Sequence, residues 1–302
     1  MASKSPVANA PLGRGLLSRI SSEQWRTVAS VRCGVVLPGG SSSQQLELAL
    51  LAEESGWDGV FVWEAAYGVD AWSLLAAIAV KTTRIRLGTM LTPLPWRRPW
   101  KVASQVATVD QLSGGRAVLT VGHGALETHL PRTAEILDLR QRAERLDEGI
   151  DLIRTLWAGE GGYHGRHFHY EPGDRSDLDE MAHPAQERIP IWVVGVWPRR
   201  KSMQRVLRCD GLVPQYEPAG REPTPDDARA IAGWLAERGR SGIDVIADGE
   251  SPSDDPLQAA ANTRAWADAG CTWWLETRWE MPHHSPQRLG QIRDRLMAGP
   301  PR

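Results

Sequence analysis

The chain has little cysteine, and the three cysteines that it has lie far apart in sequence. Cys33, Cys209 and Cys271 form neither a CxxC pair, as a metal-binding knuckle requires, nor the even set of a disulfide-stabilised domain. We therefore expect three free thiols, buried as small apolar side chains, and a reducing, cytoplasmic location.

An excess of one charge and long apolar runs are also missing. The 35 basic and 37 acidic residues give a net charge of −2, which indicates neither a nucleic-acid-binding surface nor an acidic tail. No apolar run reaches the roughly 18 residues that a membrane-spanning helix needs. Residues 1–30 lack the apolar core of a secretory signal, and we expect an N-terminal arm there. These features favour a globular protein that binds neither nucleic acid nor membranes.

Apolar runs and helical patterns alternate eight times along residues 31–302, which we interpret as a single domain. The predicted strands are 32–37, 59–64, 85–91, 117–122, 189–194, 211–215, 243–247 and 272–276. The predicted helices are 43–55, 71–81, 99–112, 133–157, 199–208, 224–238, 255–269 and 286–297. An insertion of about 159–188 separates the fourth helix from the fifth strand, and segments of this length are usually functional lids or disordered.

Continuous apolar runs are typical of parallel strands that are buried on both faces. Eight βα units in one domain of this length predict an α/β fold, the closed (β/α)8 TIM barrel, with the insertion added to it. A doubly wound open sheet is the alternative. It is disfavoured because the sequence after the first strand, LPGGSSS, lacks the GxGxxG turn of that fold.

Active sites of such barrels lie at the carboxyl ends of the strands, and here those ends carry tryptophans but few titratable groups. The titratable side chains are Glu64, His123, Glu217, Asp248, Glu250 and Glu276. An aromatic mouth with few acids and bases suits a large flat ligand better than a metal ion. The stretch YHGRHFHY, with His167 and His169 two apart, invites a metal interpretation, but it lies in the insertion. We therefore predict no metal site.

Several segments, in order, resemble a known family. They are 52–63 (AEESGWDGVFVW), 85–124 (IRLGTMLTPLPWRRPWKVASQVATVDQLSGGRAVLTVGHG), 145–157 (RLDEGIDLIRTLW) and 189–195 (IPIWVVG). This set is similar to the bacterial luciferase-like family of flavin-dependent oxidoreductases. The resemblance implies a TIM barrel with an insertion. It also implies a cofactor in the barrel mouth, either reduced FMN used with oxygen or the deazaflavin coenzyme F420.

The resemblance implies cofactor contacts at the ends of the third, fourth and fifth strands. The implied residues are Met90, Leu91, Thr92, Gly122, His123, Gly195, Val196, Trp197, Arg199 and Arg200. A cis peptide bond between Met90 and Leu91 is implied behind the flavin ring, and the cofactor phosphate is placed at the loop before the fifth helix. Free amide groups at a helix N-terminus favour an anion, and arginines at the same end would add positive charge. Surface charges in water are the alternative interpretation of those arginines.

Two departures from the family pattern weaken one reaction class. Deazaflavin-dependent members often carry Asp-His after the second strand, where this chain has Glu64 and Ala65. Deazaflavin sugar dehydrogenases place a glutamate after the fourth-strand GxG, where this chain has Ala125. His123 and Glu64 remain as candidate catalytic residues. Each has a structural alternative, a histidine bonded to backbone or cofactor and a glutamate in a salt bridge.

We expect a reduced-FMN-dependent monooxygenase that acts on a small organic substrate with oxygen. A separate flavin reductase is then expected as a partner, because no second nucleotide-binding motif is evident. The first alternative is hydride transfer with coenzyme F420, and the second is a barrel that binds flavin without turnover. A homodimer is common in the family, and the sequence does not encode the substrate.

Overall fold

The computed structural model describes residues 31–64, 67–124, 138–159, 161–173, 183–279 and 285–302. Within these ranges the chain forms a closed barrel of parallel strands with helices around it, which confirms the (β/α)8 prediction. The predicted arm, 1–30, lies outside the described residues, and so does Ala125. The division of the chain into an arm and one domain therefore stays a prediction.

Eight wall strands form the barrel, one of them in two pieces. They are β1 (Arg32–Leu37), β2 (Gly59–Val62), β3 with β4 (Arg86–Thr89 and Thr92–Pro93), β5 (Ala117–Gly122), β8 (Ile191–Trp197), β9 (Gly211–Tyr216), β10 (Asp244–Gly249) and β11 (Trp273–Glu276). Neighbours pair in the order β3-β2-β1-β11-β10-β9-β8-β5, and both β3 and β4 pair with β5, so the ring closes. Counted in either direction, β10 is the fourth strand from β3 and lies opposite it.

Eight α-helices surround the strands in the described part of the chain. They are α1 (Ser42–Glu54), α2 (Ala71–Lys81), α3 (Pro99–Ser113), α4 (Leu139–Ala158), α5 (Arg200–Val206), α6 (Pro225–Ala236), α7 (Pro256–Asp268) and α8 (Pro286–Met297). Local signals set several starts: Asp70 accepts a hydrogen bond from the Ser73 amide, and Ser41 forms a capping box with Gln44. The predicted helix 199–208 is shorter than expected, with seven residues in α5.

Three aromatic side chains fill the barrel interior. Phe61 stacks on Trp192 with ring centroids 5.3 Å apart, and Trp273 meets Trp192 edge-on at 5.4 Å. Glycines on the neighbouring strands leave room for these rings. A Cβ on Gly211 would lie 2.2 Å from Trp192, and a Cβ on Gly88 would lie 3.0 Å from the Phe61 ring. Among the described residues, these rings pack into one buried cluster inside the barrel, below the carboxyl ends of the strands where active sites of such barrels lie.

The predicted insertion contains a short antiparallel hairpin of β6 (Tyr163–His164) and β7 (His169–Tyr170). Its turn is fixed to α4, because the Glu148 carboxylate accepts the backbone amides of residues 166–168 at 2.8–3.1 Å. Among the described helices, none combines the length and the apolar character needed to cross a bilayer.

Candidate active site

A cavity of about 400 Å³ lies at the carboxyl ends of the barrel strands, where the fold predicts an active site. Its walls are mainly apolar and aromatic, with a few polar groups. The described lining residues are Trp63, Glu64, Met90, Leu91, Pro93, Trp96, His123, Gly124, Val194, Val196, Ser202, Val213, Gln215, Asp248 and Trp279. This size and composition are typical of sites for small organic molecules and cofactors.

The peptide bond between Met90 and Leu91 is cis, as the resemblance implies. It separates β3 from β4, and both side chains line the cavity. Gly122 on the neighbouring strand is needed for packing, since a Cβ there would lie 2.8 Å from the Leu91 side chain. Gly195 has a similar role, because its Cβ would lie 2.7 Å from Leu212. Both glycines support the wall and do not line the cavity themselves.

Glu64 is a buried carboxylate that is held on two sides. Arg97 forms an ion pair with one oxygen, and the Thr92 hydroxyl donates to the other at 2.7 Å. Thr92 in turn accepts a hydrogen bond from Trp72 Nε1 at 3.1 Å, so Thr92 lies behind the cavity wall as a link in this network. Burial raises the pKa of Glu64, while Arg97 and Thr92 oppose that effect. The salt-bridge alternative for Glu64 is therefore present in the structure, at a residue that also faces the cavity.

His123 lines the cavity at the end of β5. Burial lowers its pKa to about 4, and the cations of Arg205 and Arg142 act in the same direction while Asp147 opposes them. His123 is therefore neutral at pH 7. Its Nε2 is buried without a hydrogen-bond partner among the described residues, a situation that costs about 1–3 kcal/mol unless a ligand provides one.

Asp248 and Trp279 form a polar pair that the sequence did not predict. Trp279 Nε1 donates to Asp248 Oδ2 at 3.0 Å, and both side chains line the cavity. Burial raises the pKa of Asp248, and the hydrogen bond from Trp279 opposes this. The position of Asp248 at a strand end was visible in the sequence, but its contact with a residue 31 positions later was not.

The N-terminal end of α5, where the cofactor phosphate is predicted to bind, is less basic than its sequence indicates. Arg199 is ion-paired with Glu217, and Arg200 lies at the start of α5 beside a separate depression next to Trp234. The Val196 amide donates to Ser202 Oγ at 2.9 Å, and both residues line the cavity. The interpretation of the arginines as surface charge therefore has support, and the phosphate site stays a prediction.

The strand ends carry several tryptophans, and of these Trp63 and Trp96 line the cavity. Trp197 does not: its ring packs edge-on against Trp234 of α6, with centroids 6.3 Å apart. Trp274 is buried, and its Nε1 donates to Glu276 Oε2 at 3.2 Å. Trp279 lines the cavity, whereas Trp197 and Trp274 do not.

Glu276 is fully buried, and its carboxylate is hydrogen-bonded to other residues of the chain. It accepts from the Ser251 amide and hydroxyl, from Trp274 and from Arg278 at 2.5–3.2 Å. A carboxylate satisfied in this way fixes the loops after β10 and β11 to each other. We therefore assign Glu276 a structural role.

The sequence considers His167 together with His169, but in the structure His169 lies next to His164. His164 and His169 meet across the hairpin, with Nδ1 atoms 3.1 Å apart, and Glu171 lies beside them. His167 instead contacts Glu144 of α4 at 2.9 Å. These side chains do not line the cavity, and the absence of a metal site remains a prediction.

This arrangement fits a planar aromatic cofactor. The cavity offers flat apolar walls from Met90, Leu91 and the tryptophans, together with the imidazole of His123. Only Glu64, His123 and Asp248 among the described lining residues titrate, and Glu64 is already ion-paired. Such a wall can bind, orient and exclude water, but it has few groups for chemistry of its own.

Comparison with known proteins identifies the relatives. The family model described as luciferase-like monooxygenase matches residues 25–298. An F420-dependent glucose-6-phosphate dehydrogenase of Microbacterium testaceum is 27% identical over 270 residues, which cover 84% of this chain and 76% of that protein. A protein of the same description from Nocardia farcinica is 29% identical over 242 residues, which cover 75% of this chain and 70% of that protein.

Solved structures share the fold at low sequence identity. The coenzyme F420 dependent tetrahydromethanopterin reductase of Methanopyrus kandleri superposes with a TM-score of 0.68 at 18% identity, covering 89% of this chain and 98% of that one. An F420-dependent secondary alcohol dehydrogenase superposes with a TM-score of 0.60, also at 18% identity, covering 90% and 91%. These likenesses establish the barrel fold.

Proposed function

Because this chain belongs to the luciferase-like monooxygenase family and is an oxidoreductase, we propose that it transfers hydride between coenzyme F420 and a small organic substrate. The observation that carries the proposal is the resemblance to F420-dependent relatives over 84% of the chain. The sequence alone placed reduced FMN with oxygen first, and these relatives support the reverse order. Membership of an enzyme family also argues against the alternative of a barrel without turnover.

The proposed cofactor residues are those of the predicted set that line the cavity, namely Met90, Leu91, His123 and Val196. When bound, F420 would supply a two-electron hydride carrier. The protein would supply a dry, apolar wall that orients the substrate and excludes water. With this cofactor, the flavin reductase expected for a monooxygenase would have no role.

We assign proton transfer at the substrate oxygen to His123. Its pKa of about 4 keeps the ring neutral at pH 7, so it can accept the hydroxyl proton of an alcohol that is being oxidised. Glu64 has a different role in this proposal, because Arg97 holds its carboxylate in an ion pair. Glu64 would fix the wall beside the substrate and would not exchange a proton with it.

The sugar phosphate in the relatives' names is not part of the proposal. This chain has Ala65 and Ala125 where the resemblance implies the histidine and glutamate of sugar dehydrogenases. Arg97 and Arg278 are engaged by Glu64 and Glu276, and neither lines the described cavity. A substrate without phosphate is therefore proposed.

The test is an anaerobic titration of the purified protein with F420 and, separately, with reduced FMN, followed by quenching of tryptophan fluorescence. The proposal expects saturable quenching by F420 and at least tenfold weaker binding of reduced FMN. Turnover would then be sought as loss of the oxidised F420 absorbance with a panel of alcohols. Tighter binding of reduced FMN, with oxygen uptake upon substrate addition, would overturn the proposal in favour of the monooxygenase.

A further inference from the structure

The cavity has two sides that the barrel topology keeps apart. The predicted cofactor residues that line it, Met90, Leu91, His123 and Val196, belong to the consecutive wall strands β3 with β4, β5 and β8. Asp248 lies on β10, directly across the ring from β3. If the cofactor lies against the first side, Asp248 faces the substrate. This step rests on the proposed function.

Asp248, which is partly buried, differs from the buried acids Glu64 and Glu276 because no cation neutralises it in the described structure. Glu64 is paired with Arg97, and Glu276 with Arg278. Asp248 has one hydrogen bond, from the uncharged indole of Trp279, and no lysine or arginine is among the described lining residues. One carboxylate oxygen therefore remains for a ligand, in a cavity whose described walls are mainly apolar.

The pair is held in place from behind. The loop that carries Trp279 is fixed to β10 because the Thr277 amide donates to the Gly249 carbonyl at 2.8 Å. Arg278 donates to Glu276, which also accepts the Ser251 amide and hydroxyl. The strand end that carries Asp248 and the segment that leads to Trp279 are thus joined to each other, which orders the backbone on both sides of the pair.

We infer that the cavity takes an uncharged, mainly apolar substrate that donates a hydrogen bond to the Asp248 carboxylate, and that Asp248 excludes phosphorylated and other anionic compounds. A hydroxyl donor would stabilise the carboxylate. A ligand carboxylate or phosphate would place a second negative charge beside it, where no basic side chain in the described lining could compensate. Asp248 is in this view a specificity-determining residue.

The experiment measures binding of three matched ligands to the cofactor-free protein by isothermal titration calorimetry. They are cyclohexanol, cyclohexanecarboxylate and cyclohexyl phosphate, which share one apolar ring and differ in charge. The variant is Asp248→Asn, which keeps the shape and removes the charge. The matched control is Asp254→Asn, an exposed acid in the segment between β10 and α7.

The wild-type protein and Asp254→Asn should bind cyclohexanol at least tenfold more tightly than either anion. In Asp248→Asn this ratio should fall below about threefold, because the repulsion is gone. The inference is overturned if cyclohexanol does not bind the wild-type protein, if the wild-type protein does not discriminate, or if Asp248→Asn keeps the tenfold ratio. Asp248→Ser serves as a second variant if the asparagine protein does not fold.

Failure of this inference and failure of the proposed function are distinguishable. The ligand series is measured without any cofactor, whereas the proposed function is judged by F420 titration. Saturable F420 binding with an unchanged ligand ratio in Asp248→Asn would remove only the role of Asp248. Charge discrimination that depends on Asp248, without F420 binding, would remove only the cofactor assignment.

Discussion

At the residue level, the acids near the cavity differ in what neutralises them. Glu64 has both a cation, Arg97, and a hydroxyl donor, Thr92, whereas Asp248 has only the indole of Trp279. A carboxylate that is already paired contributes to folding, and one that is not is available to a ligand. By this criterion Glu64 belongs to the cavity wall, and Asp248 belongs to the group that recognises a ligand.

Replacement of Glu64 by alanine tests whether this carboxylate, paired with Arg97, contributes to folding. The change leaves the part-buried Arg97 without its carboxylate, and we expect the free energy of unfolding to fall by about 3 kcal/mol. Urea unfolding measures it. Glu54→Ala, at an exposed position of α1, is the control and should change stability by less than about 0.5 kcal/mol. Equal effects of the two changes would contradict a paired, wall-supporting Glu64.

The low pKa of His123 predicts a pH dependence of stability. The folded-state pKa of about 4 lies below the unfolded value of 6.5, so the unfolded chain binds the proton first as pH falls. The stability that the neutral His123 ring contributes to the folded chain is complete above pH 6.5. Between pH 6.5 and pH 4 the free energy of unfolding falls by a total of about 3 kcal/mol. Urea unfolding of His123→Gln over this range should lack that loss.

His183→Gln, at an exposed position, is the control for His123 and should follow the wild-type protein across the whole pH range. NMR titration of the histidine rings gives a second readout. An imidazole of His123 that titrates near pH 6.5 would contradict both the buried geometry and the expectation of a neutral ring at pH 7.

The sequence could identify residue types at strand ends but not which of them meet. Glu64, His123 and Asp248 were visible as strand-end titratable groups, because strand ends follow from the alternation of patterns. Their partners were not, since Arg97 and Trp279 lie in loops 33 and 31 positions later. Ion pairing of Arg199 with Glu217 was hidden for the same reason.

At the element level, the strand prediction was accurate for the first and fourth strands of the wall and less so for the third. β1 has the predicted bounds, 32–37, and β5 the predicted 117–122. The third strand, predicted as 85–91, stops at Thr89 and resumes at Thr92. Periodicity could not show that interruption, because the strand-like pattern continues through residues 85–91 and only the resemblance pointed to the cis bond.

Replacement of glycine by alanine should have opposite effects on stability in a barrel strand and in a helix. Gly211→Ala places a Cβ 2.2 Å from the buried Trp192 ring, so we expect a loss of about 3 kcal/mol from overpacking. Gly233→Ala lies within α6 with nothing inside 4 Å, so we expect a gain of about 0.5–1 kcal/mol from helix propensity. Urea unfolding compares them. A tolerated alanine at position 211 would contradict the tight interior packing.

At the level of the whole molecule, closure of the barrel brings distant parts of the chain together. β1 pairs with β11, for example Cys33 with Trp274, and the carboxyl-terminal Arg302 forms an ion pair with Asp58. The number of strands was predictable from sequence, because eight repeats of one βα pattern admit a closed ring. The opposition of β3 and β10 follows once the ring is closed, and it is this opposition that gives the cavity two sides.

Cofactor binding should stabilise the whole barrel, because a ligand that binds only the folded chain shifts the unfolding equilibrium. At a concentration of about 100 times Kd, F420 should add about 2.7 kcal/mol and raise Tm by about 4 °C for a chain of this length. Val196→Phe narrows the cavity beside the predicted cofactor residues and should abolish the shift. Val80→Phe makes the same change at an exposed site on α2 and should retain it. A shift that survives in Val196→Phe would place the cofactor outside this cavity, since a site elsewhere would not sense the added ring.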